Sequence, residues 1–135
     1  MTEAEFKART RQVAVRVIRL VDTLSSSGVE GVIGKQLLRS GTSIGANYRS
    51  ACRGKSKPDV LHKLAIVEEE ADESMYWIEL LVESQVVPAK KVSALSKEID
   101  EIVRMTVASI KTLRSREVRV ATDSSNPKSK IQNPK

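Results

Sequence analysis

Gln36-Leu37-Leu38-Arg39-Ser40-Gly41-Thr42-Ser43-Ile44-Gly45-Ala46-Asn47 is the stretch that decides the fold. Its two glycines and its short polar or β-branched residues are poor in an isolated helix. Each glycine costs about 1 kcal/mol relative to alanine. The apolar residues nevertheless keep helical spacing: Ile33, Leu37, Ile44, Tyr48 and Ala51 form one stripe, with Leu38 beside it. A helix that keeps its stripe through such a segment must gain something from its surroundings. The close approach of a neighbouring helix is the simplest gain. The element is read from about Val32 to Arg53 and is expected to lie tightly against another helix.

The rest of the chain supplies the neighbours. Upstream, Thr2 and Glu5 have the spacing of a capping box, in which the hydroxyl accepts from an early amide and the carboxylate reaches back. Phe6, Val13, Val17, Leu20, Val21 and Leu24 then share one helical face, and Ser25-Ser26-Ser27-Gly28 ends it. Downstream, Arg53-Gly54-Lys55-Ser56-Lys57-Pro58 reads as a basic turn. A third helix begins near Pro58, with Asp59 in the favourable N-terminal field. Its stripe is Val60, Leu64, Val67, Ala71, Met75, Ile78 and Val82, widened by Leu61, Trp77 and Leu81, and Val86-Val87-Pro88 breaks it. The fourth helix, from about Pro88 to Arg114, repeats Val92, Leu95, Ile99, Ile102, Thr106, Ile110 and Leu113. Residues 116–135 hold little apolar content, and the spacing predicts a flexible basic tail there.

Four amphipathic helices joined by short turns fold most simply as an all-α, antiparallel, up-down-up-down four-helix bundle over residues 1–115. A chain of 135 residues suits one such domain. With one Phe, two Tyr and one Trp, its core must be aliphatic. Cys52 is the single cysteine, so neither an intramolecular disulfide nor a thiolate metal site is expected. The start, MTEAEFKART, does not read as a signal peptide, and no stretch approaches the roughly 20 apolar residues that span a bilayer. The expectation is a cytoplasmic protein that does not engage membranes.

Charge is distributed unevenly. Residues 1–57 carry eleven Lys/Arg against four Asp/Glu, residues 58–83 one against eight, and residues 84–135 eleven against five. An acidic segment thus lies between two basic ones. Oppositely charged antiparallel helices attracting each other would account for this, and so would a basic surface for a polyanion. The candidate nucleic-acid contacts are Arg49, Arg53, Lys55 and Lys57 at the basic turn and Arg114, Arg116 and Arg119 near the C-terminus. Arg9, Arg16 and Arg19 form a further set. An ordinary solvated face is the alternative for each, since clustered cations alone are an unspecific signal. Few aromatics are present for stacking bases, so any contact should favour backbone or shape.

No catalytic residues, cofactor or metal ligands are expected. His62 is the only histidine, and Glu68, Glu69 and Glu70 point in different directions from a helix. Cys52 reads as a packed small side chain rather than a nucleophile. Gly41 and Gly45 lack the strand and the Lys-Ser/Thr context of a phosphate loop. Ser40, Ser43 and Asn47 read as buried polar groups that satisfy each other or the backbone, with a small polar pocket as the alternative. Arg39 is expected to pair with Glu70 or Glu73, or else to face a channel or phosphate.

The Gln36–Asn47 stretch resembles the "QLRRSATSIGANIAEG" signature of the four-helix-bundle family also called the 23S rRNA intervening-sequence protein or S23 family. Arg53-Gly54-Lys55-Ser56-Lys57 with His62-Lys63-Leu64-Ala65-Ile66 resembles its second block, and Glu73-Ser74-Met75-Tyr76-Trp77-Ile78-Glu79-Leu80-Leu81 its "ETxYWLELL" block. Gly41 stands where the family usually has Ala, and Tyr48-Arg49-Ser50-Ala51 where "IAEG" is common. The resemblance implies a ring-shaped homopentamer without enzymatic activity. A related branch, the accessory proteins of diversity-generating retroelements, implies nucleic acid and a reverse transcriptase as partners. The function expected is a non-enzymatic oligomeric bundle that binds RNA or a ribonucleoprotein through basic surfaces. The alternative is a structural or protein-partner scaffold without nucleic-acid binding.

Overall fold

A computed structural model of the protein describes the backbone of residues 1–124 and the side chains of residues 1–116. Four helices follow in order, α1 (Glu3–Asp22), α2 (Gly28–Cys52), α3 (Lys57–Glu83) and α4 (Ala89–Ser124), with no strand among the described residues. Each packs on the next in sequence, and α4 returns to α1 along the least extensive of the four interfaces. Phe6 lies near Met105 and Thr106, whereas Leu20 lies near Val92 and Leu95, so α1 and α4 run antiparallel. The result is the expected up-down-up-down bundle.

Local chemistry starts the helices where it should. The Thr2 hydroxyl accepts from the Glu5 N–H at 3.1 Å, and the Thr2 N–H donates to Glu5 Oε1 at 2.7 Å, completing the capping box. At α3, the Ser56 hydroxyl accepts from the Asp59 N–H at 3.2 Å, with Pro58 in the first turn. α2 begins four residues before the expected Val32. Gly28 takes φ 68° behind the N-cap Ser27, an angle open to glycine without steric cost. A Cβ on Gly31 would collide with the Ser26 carbonyl.

The α3 terminus is the least anticipated feature. Its last turn ends at Glu83, ahead of the Val86-Val87-Pro88 breaker. Gln85 adopts the left-handed region at φ 65°. The Val86 N–H donates to the Leu81 carbonyl and the Gln85 N–H to the Val82 carbonyl, both at 3.0 Å. This is the Schellman pattern, in which glycine is the usual left-handed residue. At the other boundary, α4 continues in helical backbone to Ser124 rather than stopping near Arg114. Residues 116–124, expected within a flexible tail, are therefore helical. The remaining tail, 125–135, lies outside the described residues.

The core is aliphatic. Val13, Val17, Leu37, Ile44, Val67, Ala71, Leu81, Ile99 and Ile102 are fully shielded. One aromatic contact supports it, Phe6 against Tyr48 with ring centroids 4.5 Å apart at 61°. α1 approaches the glycine strip of α2 as expected. A Cβ on Gly41 would lie 2.8 and 2.9 Å from the Val17 methyls, and one on Gly45 would lie 3.2 Å from Thr10 Oγ1. The gain that offsets two poor helix formers is this α1–α2 contact. Among the described residues no helix is long and apolar enough to cross a membrane.

Candidate nucleic-acid interface

The polar residues of the Gln36–Asn47 stretch direct their hydrogen bonds mostly into their own helix. Ser43 Oγ donates to the Arg39 carbonyl at 2.6 Å, Thr42 Oγ1 to the Leu38 carbonyl at 2.7 Å, and Asn47 Nδ2 to the Ser43 carbonyl at 2.9 Å. Ser40 is the exception. It is fully buried, and its Oγ lies 2.9 Å from that of Ser74 on α3, which is equally buried. Each hydroxyl has one proton, so the pair runs in one of two directions. Either Ser40 donates to Ser74 and Ser74 to the Glu70 carbonyl, or Ser74 donates to Ser40 and Ser40 to the Leu37 carbonyl. Both directions use every donor, which makes the pair cheap to bury. The sequence reading missed Ser74, although its spacing from Ala71 and Ile78 puts it on the buried face.

Two arginines are committed to ion pairs between helices. Arg39 Nη1 lies 3.2 Å from both carboxylate oxygens of Glu70, and Nη2 pairs with Glu73, which also accepts from Trp77 Nε1 at 3.1 Å. Both acids named for Arg39 in advance are thus its partners. Arg9 spans the α1–α4 seam. Its Nη2 and Nε contact Glu98 at 2.7 and 2.8 Å, and Nη2 reaches Glu101 at 3.0 Å. These bonds hold the Glu98 carboxyl below the ordinary carboxylate range. Arg9 therefore serves the bundle, and it leaves the set of candidate phosphate contacts.

The cations of the α2–α3 turn are different. Arg49 lies in the last turn of α2 and Arg53 is its C-cap residue, four positions on. With Ser50 on the same helix they form one wall of a recess of about 680 Å³, and Lys55, Asp59 and Lys63 form the other. Helix geometry explains the convergence, since residues four apart share a face on each helix. Asp59 faces its own turn, its Oδ2 accepting from the Lys55 N–H at 3.2 Å. Among the described residues, Arg49, Arg53, Lys55 and Lys63 form no ion pair, unlike Arg9 and Arg39.

The recess collects three of the seven candidates and adds Lys63, which the sequence reading passed over despite its four-residue spacing from Asp59. Lys57 is exposed on the first turn of α3, outside the lining. Arg114 is exposed on α4, and Arg116 lines a separate shallow groove with Leu64, Ser109 and Leu113. The side chain of Arg119 lies outside the described residues. Toward the opposite end of the bundle, Arg16 and Arg19 share a smaller recess of about 250 Å³ with Lys91.

Among the described residues no group of three or more His, Cys, Asp or Glu side chains is placed to hold a metal ion. Burial pushes the Cys52 thiol up, away from the thiolate that a nucleophile needs. Tyr48 is shifted upward in the same way.

Four antiparallel helices on a Gly/Ser strip, with four cations that form no ion pair among the described residues gathered at the α2–α3 turn, define an all-α bundle protein with a basic recess. The chain belongs to the 23S rRNA-intervening sequence protein family, whose profile matches residues 2–108. A crystal structure of a protein of unknown function from the S23 ribosomal protein family of Bacteroides thetaiotaomicron is similar at 36% identity and a TM-score of 0.77. The match covers 82% of this chain and 99% of that one. No curated protein matches the chain. The family is one of unknown function and does not belong to a known enzyme class.

Proposed function

We propose that the protein is a non-enzymatic, oligomeric four-helix bundle that binds RNA or a ribonucleoprotein through the basic recess of the α2–α3 turn. The observation that carries this reading is the convergence of Arg49, Arg53, Lys55 and Lys63 on one concave surface that holds a single carboxylate, Asp59. Four cations against one carboxylate leave a surplus of positive charge that repels itself, and a polyanion relieves that repulsion. The recess lining holds no aromatic side chain, so the contact is with phosphate and sugar rather than with stacked bases. Self-association is supported by exposed Ile18, which lines a groove of about 430 Å³ between α1 and α2, and by exposed Val29 and Val32 in the first turns of α2. Grooves rimmed by exposed apolar residues mark interaction surfaces.

Binding to a structured RNA, followed by anisotropy across a salt series, tests the proposal. Arg49→Gln, Arg53→Gln and Lys55→Gln should each weaken binding and flatten the log–log salt slope by about 0.7–0.9 per lost contact. No retention of RNA at low salt by a folded protein would remove the reading. The alternative scaffold would then stand, using the exposed Glu69, Asp72, Tyr76 and Glu79 of α3 to meet a basic protein partner. Light scattering on a sizing column tests the ring, which requires five chains of 14.9 kDa each.

A further inference from the structure

Resting on the reading of this recess as the RNA contact, we propose that it is built for a strand end: a terminal phosphate monoester together with the phosphodiester next to it.

Shape is the first argument. A polyanion lying along a protein needs a stripe of cations that tracks its backbone. Here four cations cluster around one open recess of about 680 Å³ instead of following a line. A group that meets all four at once projects from its polymer. Internal phosphates of a helical stem do not project, and a strand terminus does.

Charge is the second argument. The lining holds four cations and one carboxylate, a surplus of three positive charges. A terminal phosphate monoester carries about −1.5 to −2 near neutral pH. With the neighbouring diester the strand end brings about −2.5 to −3, whereas two internal diesters bring about −2. Arg49 and Arg53 add planar donor forks that match phosphate oxygens two at a time. Lys63 is the only one of the four cations that is half-buried, and the terminal group is assigned to it. The absence of aromatics from the lining makes the recognition independent of the terminal base.

The test is competition against a labelled structured RNA by short oligouridylates that carry a 5′ phosphate, a 3′ phosphate or hydroxyls at both ends. A phosphate-ended strand should compete about tenfold better than the hydroxyl-ended one, the worth of one charge-assisted contact. Its salt dependence should be steeper by about one unit, from the added charge. Whichever end is preferred identifies the terminus. Lys63→Gln should abolish the preference. Lys57→Gln removes the same charge outside the recess and should leave the preference intact. Equal competition by all three strands, while the labelled RNA still binds, would overturn the strand-end assignment and leave RNA binding standing. A preference that survives Lys63→Gln would place the terminus elsewhere and also overturn it. Failure of the labelled RNA to bind would remove the underlying reading itself.

Discussion

Replacing Gly41 with alanine sets two known effects against each other. In a helix interior the substitution is favourable by about 1 kcal/mol through backbone propensity. In this bundle the new methyl would lie 2.8 and 2.9 Å from the Val17 methyls and 3.1 Å from the Val17 Cβ. Val17 is fully shielded and, being β-branched, has little rotamer freedom with which to retreat. Overpacking a core by one methyl costs about 1–3 kcal/mol. The expected net effect of Gly41→Ala is a destabilisation of up to about 2 kcal/mol, the difference between the two terms. Val17→Ala removes the two methyls that collide. In that background Gly41→Ala should become neutral or stabilising by up to about 1 kcal/mol, because propensity then acts with little opposition and the methyl fills part of the vacated space. The double-mutant cycle should therefore show a coupling of about 2 kcal/mol, far above the few tenths seen for independent sites. Urea unfolding followed by circular dichroism, at one fixed protein concentration because self-association would add to stability, gives the four values. The packing argument fails if Gly41→Ala alone stabilises the protein by the full propensity gain and Val17→Ala leaves that gain unchanged.

Gln85→Gly should stabilise the protein by about 0.5–1 kcal/mol, since it relieves a side chain from the left-handed region at the α3 terminus. An unchanged urea midpoint would mean that Gln85 is not held at positive φ. Glu98→Gln should destabilise the α1–α4 seam by about 1 kcal/mol at neutral pH, a figure kept low because the Arg9 pair is partly exposed. Arg9 depresses the folded-state pKa of Glu98. Its contribution is therefore full above the unfolded carboxyl value of about 4.3 and is lost as pH falls through the lower folded value. Unfolding midpoints of the parent and the variant should converge in acid, and a constant gap across that window would refute the linkage.

Local physics made most of the bundle legible. Capping at Thr2 and Ser56 needs only residues three apart, and the buried stripe of α4 from Val92 to Ile110 follows directly from its spacing. The Arg39 pair could be named in advance because a lone arginine on a basic helix faced a run of acids on the next one. The limits appeared where the decisive contact was remote. Arg9 looked like a free cation, since its partners Glu98 and Glu101 stand some ninety residues away across the α1–α4 seam. Ser74 received no role until Ser40 was found opposite it. Lys63 was visible at the right helical spacing, but nothing in the chain itself put α2 and α3 at the separation that makes a recess.

Helical period, caps and the Gly-bearing strip are short-range properties, and they specified four helices and the faces they bury before any coordinates were considered. Which cations remain available to a ligand depended on how those helices docked. An ion pair or a shared recess is a matter of distances across an interface, and those arise only when apolar faces have packed.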